Sequence, residues 1–321
     1  MSGLEFSVLS AESLTWEQAT RAFLLRCRAQ DVSPGTIEHY RGTLAGLVAF
    51  LVPIGVAKPG DAAASHLRAY LEDRKDQGLA SETLHTRWRH LRTFFRFLRR
   101  DGLLLLDPSE TLEAPRVERR LMPCPTPDQF RKIIEQLRGR DPLDVRDYAI
   151  MCFLADTGAR LSEALALKLG DVDMAGGTAR LLGKGRRERL VAFGSAARTA
   201  LLAWLRARGE GKPEERLFVD RFGGPLTRGA FGQRFRRLAR AAGVYTRRLS
   251  PHALRHFFAI QFLRNGGGVL QLQRLLGHST LAMTKRYAAL TDDDSLADHR
   301  KASPLDRLGP LPGERKRVRL R

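Results

Sequence analysis

Three short stretches of this chain set basic and hydroxyl-bearing side chains at helix junctions, where anionic oxygens are readily held. Thr157-Gly158-Ala159-Arg160 ends an apolar run and precedes Ser162-Glu163. The glycine permits a sharp turn and Ser162 can cap the next helix, which leaves Arg160 between two helices. Ser250-Pro251 opens another helix, with serine at the N-cap and proline at the first position. His252 and Arg255 then lie three apart on one face near the positive end of that helix, an end suited to an anion. Leu276-Gly277-His278-Ser279 repeats the arrangement with His278 at the junction, and Tyr287 follows nine residues later, near the end of a short helix. Taken singly, each also reads as ordinary structure: a surface arginine, a half-buried histidine, a core tyrosine.

Other chemistries fit poorly. Gly183-Lys184-Gly185 resembles a fragment of a phosphate loop, but it lacks the hydroxyl residue after the lysine and the earlier glycine, and it sits in a hairpin. Asp171-Val172-Asp173 and Asp292-Asp293-Asp294 read as a loop and a helix start, not as metal ligands, and His252-x-x-Arg255-His256 lacks the glutamate of a zinc helix. No metal or cofactor is expected.

The elements that must position these groups are mostly helices. Trp16, Ala19, Phe23 and Leu24 recur at helical spacing; Ser33-Pro34 caps a second helix that runs to Pro53; a third spans 62–77 and a fourth Ser81–Arg100. The fourth carries six arginines, among them Arg87, Arg89, Arg92 and Arg96, against the single acid Glu82. Intrahelical pairing cannot account for that excess, so the helix reads as one that tracks phosphates. Pro108, Pro115, Pro123, Pro125 and Pro127 then punctuate a charged, aperiodic stretch that reads as a linker. Thr126-Pro127-Asp128 restarts a helix; others follow at 146–155 and 162–169. Thr178–Leu182 and Glu188–Phe193 flank a glycine-bounded turn and predict a hairpin with Lys184 near its tip. Helical patterning resumes after Phe193, and Arg228–Arg248 holds seven arginines without an acid, including Arg234, Arg237 and Arg247.

The expected organisation is therefore a mainly α chain with a small β-hairpin: a helical domain at 1–107, a linker at 108–127, a second α-rich domain at 128–303 and a basic tail at 304–321. Composition bounds the partner. The 321 residues hold 55 Lys+Arg against 35 Asp+Glu, a formal charge of +20 that attracts polyanions, nucleic acid first and an anionic membrane second. No run of about 18 apolar residues predicts a membrane span, and residues 1–10 lack the basic start of a secretory signal. Three widely spaced cysteines make a disulfide framework or zinc finger a poor fit and suit a reducing cytoplasm.

In order and spacing, the pieces together resemble the tyrosine recombinase family, the phage-type integrases that include the Xer recombinases. They are T-G-A-R-L-S-E-A at 157–164, G-K-G-R-R-E-R-L-V at 183–191, H-A-L-R-H-F-F-A at 252–259, L-G-H-S-T at 276–280 and R-Y-A-A-L around Tyr287; S-P-G-T-I-E-H-Y at 33–40 is similar to the family's core-binding domain. Ala159 stands where members often carry Leu or Met, a packing position.

The resemblance implies a two-domain DNA clamp with a helical core-binding domain and an α-rich catalytic domain. It implies strand cleavage through a 3′-phosphotyrosine, without metal or ATP. Arg160 and Arg255 would hold the non-bridging oxygens, each offering a fork that matches two oxygens. Tyr287 would be the nucleophile, His252 its acid/base, Lys184 the proton donor to the leaving 5′-oxygen, and His278 a hydrogen-bond donor to the phosphate. Four protomers on paired duplex sites are implied, with 298–321 docking onto a neighbour. Within the family, chromosome-dimer resolution and mobile-element integration both stay open, as does a regulatory protein partner. Outside it, the alternatives are a type IB topoisomerase-like enzyme and a non-catalytic DNA-binding protein.

Overall fold

The computed structural model describes residues 14–117, 124–137, 141–183, 188–247 and 249–277, together with Thr284 and Tyr287. They form two compact units whose boundary lies between Arg120 and Leu121. Lys184, His278, the tail at 304–321 and the middle of the predicted linker lie outside the described residues.

The N-terminal unit is built from helices α1 (Trp16–Ala29), α2 (Pro34–Leu51), α3 (Ala64–Asp76) and α4 (Ser81–Arg100). Thr15 and Ser33 cap the first two, each accepting from the backbone N–H three residues on. The fourth spans the predicted residues, but Ser81, which its place at the start suggests as the cap, is the first helical residue: Ala80 is the N-cap, and the Ser81 hydroxyl turns to the Glu82 carboxylate. The core is aromatic. Phe23 meets Phe94 edge to face at 5.5 Å, and Trp16 meets Phe95 in the same way at 6.3 Å. Packing continues past the end of α4. Ser109 is buried, with its N–H and hydroxyl both on Asp107 Oδ1, and Trp88 Nε1 donates to the carbonyl of buried Leu112.

The C-terminal unit is organised on α6 (Pro142–Thr157), which buries residues on several sides. Around it lie α5 (Pro127–Glu135), α7 (Leu161–Ala166), α8 (Ser195–Arg208), α9 (Arg228–Ala241), α10 (His252–Arg264) and α11 (Val269–Leu276). One antiparallel sheet, in the order β1 (Val172–Asp173), β2 (Thr178–Leu182) and β3 (Glu188–Ala192), forms the remaining side. The predicted hairpin is β2–β3, paired from Thr178↔Ala192 to Leu182↔Glu188; β1, predicted as loop, adds two residues to its edge. Ala179 and Leu181 face the core while Leu182 and Leu190 face solvent, the alternation that sets register. No helix among the described residues is long and apolar enough to cross a membrane.

One charged network in this core is built on α6. Arg146 and Asp147, both buried on α6, pair at 2.7 Å, and Arg146 also donates to the Val219 carbonyl at 2.8 Å. Arg234 of α9 closes the network on Asp147 Oδ2 at 3.0 Å and on Asp144. Buried charges persist only when paired and hydrogen-bonded, and here each carboxylate has a guanidinium.

Candidate functional site

Two glycines in the left-handed region frame the site. Gly158 (φ +63°) ends α6 and Gly277 (φ +64°) ends α11. At Gly158 a Cβ would stand 2.3 Å from Phe258 Cδ1 and 2.8 Å from Leu276 Cδ2, so both the turn and the close approach of α10 and α11 require glycine. Thr157 stiffens the turn: its hydroxyl donates to the Phe153 carbonyl at 2.7 Å and accepts from Ala159 N–H at 3.2 Å.

The chain leaves that turn at Arg160, which is itself the N-cap of α7, two positions before Ser162. The side chain that satisfies this helix start is Glu163, whose carboxylate reaches back to the Arg160 N–H at 2.8 Å and to Arg160 Nη1 at 2.8 Å. Its other face takes a bidentate fork from Arg189 of β3, at 2.9 and 2.7 Å. Arg189 Nε then donates to the Leu275 carbonyl at 3.1 Å, which ties the sheet to the end of α11. Burial alone would raise the Glu163 pKa, but the hydrogen bonds from Arg189 and Arg160 outweigh it and hold the carboxyl at about 2.

This depression has a measurable consequence. Glu163→Gln is expected to lower unfolding free energy at pH 7 by about 2 kcal/mol, the scale of lost charged hydrogen bonds. The folded-state pKa lies below the ordinary glutamate value, so the contribution is complete above about 4.5 and is lost as pH falls towards 2. Urea titrations of both proteins at pH 7 and pH 3 test this; an equal gap at the two pH values refutes it.

Arg255 lies at the centre, only 2 % exposed. Nη1 donates to the Gly158 carbonyl at 2.7 Å and Nη2 to the Leu276 carbonyl at 2.6 Å, so one guanidinium joins the two glycine turns. Burial first, then the Arg160 cation, pull its pKa down to about 10, which leaves it charged at neutral pH. His252, one turn earlier, is solvent-exposed at its edge. Desolvation by the packed groups beneath it, then Arg255 and Arg160, lower its pKa and favour the neutral ring. Pro251 is the N-cap in helical conformation, so the helix begins one residue later than the Ser250 cap predicts, with Ser250 contributing its carbonyl to Ala253 N–H at 2.8 Å.

Tyr287 is brought to this cluster and is 6 % exposed, packed with Phe258, Ile260, Leu272 and Leu276. Its hydroxyl meets Nδ1 of His256 at 2.6 Å. His256 is buried, and the His252 ring stands edge-on to it at 4.7 Å between centroids. The structure thus brings together Arg160, His252, Arg255 and Tyr287. Lys184 belongs to the connection between the paired residues Leu182 and Glu188, and His278 follows Gly277; both lie outside the described residues.

Three site residues escape the sequence reading, which saw basic and hydroxyl groups without acids: Glu163, Arg189 and His256. Each leaves a signal. Glu163 is the third residue of a helix first turn. Arg189 pairs opposite buried Leu181, so it is a charge on the inward face of a strand. His256 stands four after His252, on the same side of a helix.

The arginines proposed to track phosphate divide by environment. On α4, Arg89 and Arg96 are exposed, Arg92 lies 5.2 Å over the Trp88 ring, and Arg87 donates to the Tyr70 hydroxyl. On and after α9, Arg237 and Arg247 are exposed, whereas Arg234 is held by Asp144 and Asp147. Among the described residues no group of His, Cys, Asp and Glu is arranged to hold a metal ion.

Comparison with known proteins supplies the context. A model of the phage integrase family matches residues 125–294, and one of the phage integrase N-terminal SAM-like domain matches 21–102. A tyrosine recombinase XerC of Roseiflexus castenholzii is 33 % identical over 293 residues, 89 % of this chain and 92 % of the relative. A tyrosine recombinase XerC of Chromobacterium violaceum is 35 % identical over 274 residues, 85 % of this chain and 90 % of the relative. Among solved structures, the Tn1549 transposon integrase in complex with a circular intermediate DNA shares the fold, with a TM-score of 0.75 at 20 % identity, over 92 % of this chain and 100 % of that one.

Proposed function

The chain belongs to the phage integrase family of tyrosine recombinases, enzymes that break and rejoin DNA strands, and we propose that it is a Xer-type site-specific recombinase acting on paired sites in double-stranded DNA. The observation that carries the assignment of the site is the convergence on Arg255. One buried guanidinium joins the Arg160 turn to the end of α11, and Tyr287 is close enough for its charge to act on that guanidinium.

In this reading the scissile phosphate sits against Arg160 and Arg255. Arg255 gives two of its five N–H groups to carbonyls, which fixes the plane of the fork and leaves donors for the non-bridging oxygens. Arg160 is oriented by Glu163 in the same way. Fixed cations that need no reorganisation as charge develops are the largest catalytic term available here, and they do the work a metal does elsewhere. Tyr287 attacks phosphorus, and Lys184 protonates the departing 5′-oxygen. His278 donates to a phosphate oxygen, and an imidazole of the His252–His256 pair on α10 serves as acid/base. The 3′-phosphotyrosine conserves the bond energy, and a 5′-hydroxyl of the second duplex reseals it, so neither ATP nor a divalent ion is consumed.

A helical unit at 1–107 that contacts DNA, a linker at 108–127 and a catalytic unit at 128–303 fit this division of labour. Of these arginines, Arg89, Arg96, Arg237 and Arg247 are exposed and suited to backbone contacts; Arg92 is half-buried over the Trp88 ring, and Arg87 and Arg234 have protein partners. Such contacts make binding strongly salt-dependent. Four protomers on two sites complete the reaction, with 298–321 reaching a neighbour, and a cytoplasmic location suits the substrate. The identity to the XerC relatives, 33 % and 35 % against 20 % to the Tn1549 transposon integrase, favours a Xer-type resolving role over integration of a mobile element.

The test is covalent capture. Duplexes selected by binding from a random pool are nicked beside the cleavage position, so that cleavage releases a short fragment and strands the intermediate. A protein–DNA adduct that resists denaturant, forms in excess EDTA and maps by peptide sequencing to Tyr287 is the expected result. Adducts that form only after a divalent ion is restored, or that map elsewhere, overturn the reading.

A further inference from the structure

We infer that His256, not His252, is the base that takes the phenolic proton of Tyr287 during strand cleavage, an inference that rests on the recombinase reading of the site. A general base must stand within about 2.6–3.2 Å of the group it deprotonates. His256 Nδ1 does so, 2.6 Å from Tyr287 Oη, and both side chains are buried. His252 is placed differently: it begins the helix, reaches solvent at one edge and meets the His256 ring edge-on at 4.7 Å. It therefore faces the side from which a phosphate would enter, with His256 beneath it against the nucleophile.

The surroundings suit the transfer. With its proton on Nε2, His256 offers the Nδ1 lone pair to the phenol, and the apolar neighbours Phe258 and Leu276 keep competing water from the contact. The buried Arg255 cation favours negative charge on the phenolic oxygen. The step balances without another reactant. The Tyr287 O–H bond breaks and its proton moves to His256 Nδ1; the freed electron pair forms the Oη–P bond; the P–O5′ bond breaks and O5′ takes a proton from Lys184. In rejoining, the incoming 5′-hydroxyl gives its proton back to Lys184. Its oxygen attacks phosphorus, the P–Oη bond breaks, and His256 returns the first proton to the phenolate.

Asparagine places an amide oxygen near the position of Nδ1 and can accept the phenol hydrogen bond, but it cannot carry the proton away. His256→Asn is therefore expected to bind DNA as the wild type does and to slow single-turnover cleavage about 100-fold, the lower range for a general base. His256→Gln, assayed in parallel, keeps the test open should the first variant not fold. A substrate with sulfur in place of the bridging 5′-oxygen separates this role from proton donation. A thiolate leaves without a proton, so Lys184→Ala should recover most of its rate on that substrate, whereas His256→Asn should stay slow. Cleavage by His256→Asn within threefold of wild type, or its recovery on the sulfur substrate, overturns the inference. Wild type and Tyr287→Phe run alongside: no adduct from wild type defeats the recombinase reading itself, while adducts from wild type and His256→Asn at like rates defeat only the role of His256.

Discussion

Tyr287→Phe is expected to abolish covalent adduct formation and strand cleavage while leaving duplex affinity within about twofold of wild type. The substitution removes one oxygen and keeps the ring. Phe258, Ile260, Leu272 and Leu276 retain their packing against it, so the small core between α10 and α11 survives. What is lost is the hydroxyl at 2.6 Å from His256, a hydrogen bond worth about 1 kcal/mol to stability and therefore a change of a few degrees at most in melting temperature. Affinity should hold because it rests on the dispersed arginines and on phosphate contacts, to which a buried phenol contributes little. Reactivity has no such redundancy: without a nucleophilic oxygen the phosphotyrosine cannot form, and a step assisted by positioned charges still needs an attacking atom. Gel-shift and denaturing-gel assays on the same nicked duplex separate the two properties. A Phe variant that still forms adducts, or that relaxes supercoiled DNA, would show that another residue attacks.

Much of this arrangement was legible before any coordinates. Helical periodicity placed α1 to α4, and the Ser33 and Thr126 caps were correct because a hydroxyl before a proline satisfies helix N–H groups in few other ways. The β2–β3 hairpin followed from two short runs flanking a glycine-bounded turn. What stayed hidden was the partner choice of charged residues. Arg234 looks like its neighbours Arg236 and Arg237 in sequence, yet α9 packs it against α6, and its guanidinium meets Asp147, 87 residues earlier. Glu163 follows the candidate cap Ser162 and drew no role of its own; nothing local shows that Arg189, 26 residues on, meets it. Two helix starts differ from the hydroxyl caps that the sequence offers: at α7 the Glu163 carboxylate caps Arg160 in place of Ser162, and at α10 Pro251 stands at the N-cap in place of Ser250.

Arg255→Ala should be the most damaging change that leaves the nucleophile in place. The side chain has two functions, and the alanine variant loses both. As a charged donor to a phosphorane-like transition state it should contribute at least as much as the stronger neutral oxyanion-hole donors, about 4 kcal/mol, so single-turnover cleavage is expected to fall by about 10³-fold or more. As a structural link, it satisfies the Gly158 carbonyl at 2.7 Å and the Leu276 carbonyl at 2.6 Å, and removing both donors from a buried site should cost about 2 kcal/mol of stability. Arg255→Lys distinguishes the two contributions. An ammonium keeps the charge but is a point donor without the planar fork, so it cannot span both carbonyls and also face the phosphate in the arginine geometry. Lysine should therefore restore part of the charge stabilisation and little of the alignment, giving a rate between those of alanine and arginine. Glu163→Gln is the control for the structural part: it perturbs the adjoining turn by a similar stability increment while keeping both arginines, so its cleavage rate should fall far less than that of Arg255→Ala. If Arg255→Ala cleaves at a near-wild-type rate, the buried guanidinium is only a brace between two turns, and the phosphate must be held elsewhere.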